Sequence, residues 1–397
     1  MKSNCNFGIM KKTPYHTWLF LFGLIYYLIL PAFVIASRIW MDYPGMDNLY
    51  FYYKDEYLLG YFFLVLVITI PFFIGANLPY CSCRKHSSLV RQIIISSRSL
   101  FIITLPVFLY SQYVIWTNRS YMFQGYLADI ETPFKGTIAT INMIFLFVFL
   151  YNKNGEYSSK TNIFLTLILL ELSIVSLGLG TRMYALVTLF SIIVYLLDKQ
   201  TVALKRMILW FPVIVFFLLA VGIWRLGDTN ISLDQLLYIG IAEPTLTWIS
   251  AISMYDLNEL PLIAFPSNFI SSFVNFIPSS VLPDKSELIS EIFLKYDAPL
   301  GATSVLLSLI SNFGILGSML ALFCLGFFLS QIRLHWQTPF GLSYYYCVCG
   351  IIPFQLFRDD MGIVNKQIFS NLLFVPMIIF FIHRFFVGYK IQSMSLE

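Results

Sequence analysis

Long apolar runs alternate with short charged seams from about residue 17 to residue 386, and the runs have the length of helices, not strands. Crossing the roughly 30 Å hydrocarbon core of a bilayer takes about 20 apolar residues in a helix. The pattern predicts ten such helices, over 17–37, 58–78, 99–116, 136–151, 162–180, 184–197, 207–224, 303–330, 340–357 and 367–386. One polar interruption, 226–301, is far longer than the other seams. The chain therefore reads as an all-α, polytopic integral membrane protein with one large loop. Seven helices occupy 1–225, the loop 226–301, and three helices 302–397. Two moderately apolar stretches of the loop, 233–255 and 265–277, read as tilted, re-entrant or interfacial helices. Counting them as spans raises the total to eleven or twelve. The 162–197 region reads as a helical hairpin turning at Gly178-Leu179-Gly180-Thr181, where two glycines permit backbone geometry that other residues resist.

Composition supports this class. Hydrophobic residues make up 58% and charged residues 12%, against about 25% charged in a soluble domain. The net charge of +4 is small and dispersed, which argues against a nucleic-acid partner. Lys2, Lys11 and Lys12 precede an apolar run from Thr17 to Ser37 that is longer than a signal-peptide core and lacks a small-residue cleavage site. That run is read as the first membrane helix.

Lys and Arg concentrate in cytoplasmic seams. With the N-terminus inside, the inner seams hold 15 of the 25 basic residues, while the long loop holds only Lys285 and Lys295 beside nine acids. Both termini are thus expected in the cytoplasm and the loop outside, in the periplasm if the membrane is a bacterial inner membrane. The six cysteines avoid the long loop. Cys81-Ser82-Cys83 with His86 falls short of the four spaced ligands of a closed zinc site, and no metal is expected.

Several charges sit where orientation does not need them. Arg182 follows the Gly178–Gly180 turn, Arg225 ends the seventh run and Arg358 the ninth, all at the outer boundary. Three guanidiniums at one depth can form a basic cup, since each offers paired donors to phosphate oxygens. Alternatively each snorkels to headgroups, and Asp359 and Asp360 are close enough in sequence to neutralise Arg358. Glu171 lies in mid-span, costly unless paired, protonated or beside water. Glu243-Pro244 places an acid within the apolar Tyr238–Ser250 stretch, a candidate general base. Pro278 to Lys285 is a polar turn containing Asp284. His16, His86, His335 and His383 all fall on or near the inner side, so no histidine base is available outside.

Three segments together, Gly178-Leu179-Gly180-Thr181-Arg182, Pro278–Lys285 with Ser311-Asn312-Phe313-Gly314-Ile315-Leu316-Gly317, and Phe357-Arg358-Asp359-Asp360, resemble bacterial O-antigen and capsule repeat-unit polymerases of the Wzy family. The resemblance covers roughly 175–370. It implies a membrane glycosyltransferase of the GT-C type, acting at the periplasmic face on repeat units carried by undecaprenyl pyrophosphate. It implies neither metal nor nucleotide sugar, because the pyrophosphate lipid is already a leaving group. Arg182, Arg225, Arg358 and Glu243 would be the catalytic residues, and Asp284, Lys285, Asp359 and Asp360 would bind substrate. A chain-length regulator is an implied further partner. The Arg-x10-Gly motif of some members is missing here. Two rival readings are a flippase for the same lipid-linked units, favoured less by the long loop, and an O-antigen ligase of similar architecture.

Overall fold

The computed structural model describes residues 14–43, 46–78, 97–123, 135–155, 159–202, scattered positions within 205–220, then 232–256, 260–277, 281–282, 284–292 and 303–387. Among them the regular structure is helical. We number the helices α1 (Tyr15–Ala36, π-helical at Leu24–Ile29), α2 (Met46–Tyr52), α3 (Tyr57–Asn77), α4 (Ser97–Asn118), α5 (Lys135–Asn154), α6 (Ser159–Gly178), α7 (Arg182–Asp198) and α8 (Leu233–Asp256). There follow α9 (Ser267–Ser271), α10 (Val305–His335), α11 (Pro339–Ile351), α12 (Gln355–Arg358) and α13, which runs as Met361–Asn365, turns π-helical over Lys366–Phe374, and ends as Val375–Val387.

Eight helices among the described residues are long and apolar enough to cross a membrane: α1, α3, α4, α5, α6, α8, α10 and α13. Of the ten expected spans, the one over 184–197 is the 17-residue helix α7 and the one over 340–357 is interrupted. The second break has a local cause, because Pro353 lies inside the run and α11 stops at Ile351, as proline disfavours helix at and before its own position. The 207–224 span falls largely outside the described residues.

α3 shows why these sequences need a lipid solvent. Tyr61, Leu64, Val65, Ile68 and Phe72 are buried against neighbouring helices. The opposite stripe, Leu59, Phe63, Leu66, Ile70 and Ile74, is equally apolar yet exposed. A surface helix of a soluble protein carries polar residues there.

α1 runs antiparallel to α3, with Phe20 stacked on Phe72 at 3.8 Å between ring centres and the Tyr61 hydroxyl donating to the Leu28 carbonyl at 3.1 Å. α3 and α10 run parallel and nearly touch. A Cβ added at Gly75 would lie 2.2 Å from the Phe323 carbonyl, and one at Gly326 2.3 Å from that of Phe72. Small residues permit this approach where lipid offers no hydrophobic drive between helices.

At one end of the bundle a buried network ties five helices. Arg333 of α10 pairs bidentately with Asp198 of α7, one contact being 2.9 Å, and the Tyr346 hydroxyl of α11 donates to the same carboxylate. By position Arg333 belongs with the orienting seam charges, yet it is only 4% exposed. His16 of α1 meets the Tyr345 hydroxyl at 2.9 Å through Nδ1 and Ser330 Oγ at 3.2 Å through Nε2. Ser330 spends its one proton on the Ala76 carbonyl, 2.6 Å away. The imidazole therefore donates from Nε2 and accepts at Nδ1.

The other end holds the start of α7 and α10 and the loop after α1. There α10 breaks at Gly314, whose φ of +70° and ψ of −178° are nearly glycine-only. The amides of Ile315 and Leu316, freed by the break, donate to the carbonyls of Pro261 and Leu262 at 2.9 and 3.0 Å. A Cβ at Gly314 would also lie 2.6 Å from the Ile263 backbone. Gly314→Ala should therefore destabilise the protein by at least about 2 kcal/mol, read as a lowered thermal midpoint in detergent. An unchanged midpoint would refute this account of the break.

α8 lies across that end. Asp234 in its first turn accepts from Trp40 Nε1 at 2.7 Å and from the Tyr43 hydroxyl, in the loop after α1. Further along, Trp248 packs on Tyr61 at 4.7 Å near the start of α3, and Ser250 Oγ accepts from the Ser304 amide at 2.8 Å, just ahead of α10. Both of its halves thus touch the same end of the bundle.

Candidate active site

Arg182 is placed by the α6–α7 turn. The Thr181 amide donates to the Ser176 carbonyl at 2.8 Å and the Gly180 amide to that of Leu177 at 3.1 Å, with Gly180 at φ +77°. This is a Schellman C-cap, whose left-handed position glycine fills without strain. The chain then restarts as α7 with Arg182 in its first turn. A cation there opposes the helix dipole, at about 0.3–1 kcal/mol, so the arginine is not there for the helix.

Glu243 owes its position to the residue after it. Pro244 has no amide to give the Gly240 carbonyl one turn back, and the Tyr26 hydroxyl of α1 donates to that carbonyl instead. The helix is thereby pinned to α1 across its proline, and the Glu243 side chain is 13% exposed. One oxygen, Oε2, accepts from Arg182 Nη2 at 2.9 Å, and the other, Oε1, contacts Arg358 Nε. Two guanidiniums from separate helices thus grip one carboxylate.

Arg358 ends α12, and its carbonyl accepts from the Thr303 amide at 2.9 Å. Its Nη1 also donates to Asp359 Oδ1 at 3.0 Å. Burial pushes the Asp359 carboxyl up to about 6, against the downward pull of Arg358. Gln355, fully buried, faces both Asp359 and Tyr184, and Gln367 donates to the Tyr184 hydroxyl at 3.3 Å.

Arg182, Arg358, Glu243 and Asp359 therefore form one ionic cluster. Its two cations are matched by two carboxylates, so the expected basic cup is lined internally by its own counter-ions. Asp360 lies beside the cluster, and its Oδ1 accepts the Gly362 amide at 2.5 Å as the cap of α13. Asp284 is exposed on a 3-10 turn, and Lys285 donates to the Ile277 carbonyl at 3.0 Å. Burial lowers the Lys285 ammonium, which faces Lys366 electrostatically. Arg225, Cys81, Cys83, His86, the 278–280 part of the polar turn and Pro283 lie outside the described residues. Among the described residues no group of His, Cys, Asp and Glu is placed to hold a metal.

Glu171 is met by Gln112 of α4, whose Nε2 donates to its Oε2 at 2.9 Å. The amide supplies the partner that a mid-span acid needs. Gln112, Tyr26, Tyr184, Gln355 and Gln367 were not singled out in the sequence, although an amide inside an apolar run is the signal that marks three of them.

The sequence profile of a family described as O-antigen polysaccharide polymerase Wzy matches residues 4–243, more than half of the chain. The match includes Arg182 and ends on Glu243; the expected resemblance lay further along, over 175–370. No curated protein and no solved structure matches the chain.

Proposed function

The chain belongs to the O-antigen polysaccharide polymerase Wzy family, and from that premise we propose that it joins oligosaccharide repeat units carried on undecaprenyl pyrophosphate. In this reading the growing chain is the donor and a new lipid-linked unit the acceptor. The acceptor hydroxyl attacks the anomeric carbon of the donor, and its proton passes to a carboxylate. The anomeric carbon–oxygen bond to pyrophosphate breaks, and the electron pair leaves on the pyrophosphate.

The observation that carries this reading is the gripping of Glu243 by Arg182 and Arg358. Guanidiniums fixed to hold two carboxylate oxygens are equally fixed to hold two phosphate oxygens. A pyrophosphate entering the cluster displaces Glu243 from the forks. The freed carboxylate then becomes available as general base at the time the donor is bound. The arginines meanwhile meet the charge developing on the leaving group, where fixed cations count most. We place this chemistry at the periplasmic face of the inner membrane, in line with the distribution of basic seams.

The decisive experiment is deletion of the gene in its host, followed by electrophoresis of the surface polysaccharide. Loss of the long ladder with a single repeat still attached to the lipid core supports a polymerase. Loss of every repeat would instead indicate flippase or ligase.

A pH dependence follows from Asp359. Burial raises its carboxyl to about 6 in the folded protein from 3.8 in the solvated, unfolded chain, so the folded state takes up a proton between these values and stability falls as pH rises through that window. Protonation also gives the cluster a net positive charge. Pyrophosphate affinity should rise on acidification through about pH 6, and Asp359→Asn should remove that component, as measured by titration calorimetry. Equal pH profiles for the two proteins would exclude Asp359 as the titrating group.

A further inference from the structure

A second constellation lies on the same helix as Glu243 and takes no part in the ionic cluster. Trp40 and Tyr43, from the loop after α1, pack with Tyr238 of α8. The ring centres are 5.9 Å apart for Trp40 and Tyr238 and 4.5 Å for Tyr43 and Tyr238. All three are half-buried at the surface. The indole N–H and the Tyr43 hydroxyl are both given to Asp234, one turn before Tyr238. Arg38 and Trp40 hold φ of 53° and 61°, a left-handed conformation rare for bulky side chains. The chain is thus bent against its preference, and the bend sets an indole beside two tyrosines.

Aromatic residues that merely anchor a protein at the membrane surface keep their polar edges for water and headgroups. Here the polar edges of Trp40 and Tyr43 are spent on one carboxylate, which fixes those two rings relative to each other. Among the described residues each Asp234 oxygen accepts one protein donor, which leaves it a further lone pair. Rigid aromatic area beside an acceptor that still has capacity suits a ligand with apolar C–H faces and radiating hydroxyls. A pyranose ring is such a ligand. Tyr238 precedes Glu243 by five residues, about 7.5 Å of helix rise, a separation within the length of a short oligosaccharide whose pyrophosphate end sits at the arginines.

We propose that Trp40, Tyr43 and Tyr238, ordered by Asp234, form a saccharide-binding platform that receives a sugar ring of the lipid-linked repeat unit. This rests on the polymerase reading. The test uses the full chain in detergent and the host's own repeat-unit oligosaccharide, freed from its lipid by mild acid, with binding measured by titration calorimetry. Tyr43→Ala and Tyr238→Ala should each weaken binding about tenfold. Tyr238→Phe, which keeps the ring, should recover affinity to within about threefold of the unmodified chain. Alanine variants that bind as tightly as the unmodified chain, or an unmodified chain that binds no oligosaccharide, would overturn the platform. In parallel, the surface polysaccharide of the deletion strain is run on a gel. A single retained repeat with either of those binding results sinks the platform alone, whereas loss of every repeat sinks the polymerase reading beneath it.

Discussion

Arg358→Ala should abolish the long polysaccharide ladder in a strain that depends on this protein, compared at matched protein level in the membrane, because removing one member of a buried ion pair also costs stability. The expected loss of turnover is about 10²–10³-fold, the cost of deleting one preorganised donor to a developing oxyanion. The side chain meets Glu243 and Asp359 while its backbone carbonyl holds the start of the α10 segment through Thr303. Only the side-chain contacts are lost in the alanine variant. Arg358→Lys keeps the charge and loses the fork, so it should restore a short ladder without restoring a full one. Arg225→Ala should behave like Arg358→Ala if all three outer arginines share the pyrophosphate. A full ladder in both alanine variants, seen by gel electrophoresis of surface polysaccharide, would abandon the pyrophosphate seat.

Glu243→Gln separates the two roles assigned to that residue. The amide keeps the size of the carboxylate and retains one acceptor for the guanidiniums, but it cannot take a proton. General-base catalysis is typically worth about 10²–10⁴-fold, and a loss of turnover in that range is expected. Affinity for inorganic pyrophosphate should move the other way, because the internal anion competing for Arg182 and Arg358 is gone. Loss of turnover without tighter pyrophosphate binding would mean that the carboxylate is not displaced by substrate. Retained turnover would mean that it only positions the arginines. Glu243→Ala is a poorer probe, since removing one member of a buried ion pair commonly costs about 3–5 kcal/mol of stability.

The bundle was largely legible in the chain because lipid imposes a length and a polarity on every crossing helix. The hairpin turn at Gly178–Thr181 was legible too, since the αL position and the restart of the helix are local matters. The break at Pro353 was equally local, but the run 340–357 is apolar enough to hide it. The partners of the charges were not legible. Arg182, Glu243 and Arg358 come from three elements far apart in the chain, and nothing in their neighbouring residues specifies that one carboxylate will bridge two guanidiniums. The same holds for Gln112 with Glu171 and for Arg333 with Asp198. In each case sequence marks a charge or amide in an expensive place, and only the packing of helices shows what offsets the expense. Glu243 is the clearest instance: Pro244 announces a kink, but the hydroxyl that answers the orphaned Gly240 carbonyl belongs to Tyr26, on the first helix.

The two ends of the bundle are fastened by different chemistry. At one end Arg333, Asp198, Tyr346, His16, Ser330 and Tyr345 bind α1, α3, α7, α10 and α11 through buried contacts that no phosphate is positioned to replace. At the other, α7, α8 and α12 share the Glu243 carboxylate, the contact that the proposed pyrophosphate would displace. Displacing Glu243 would therefore release one contact among α7, α8 and α12 and leave the buried contacts around Arg333 as they are.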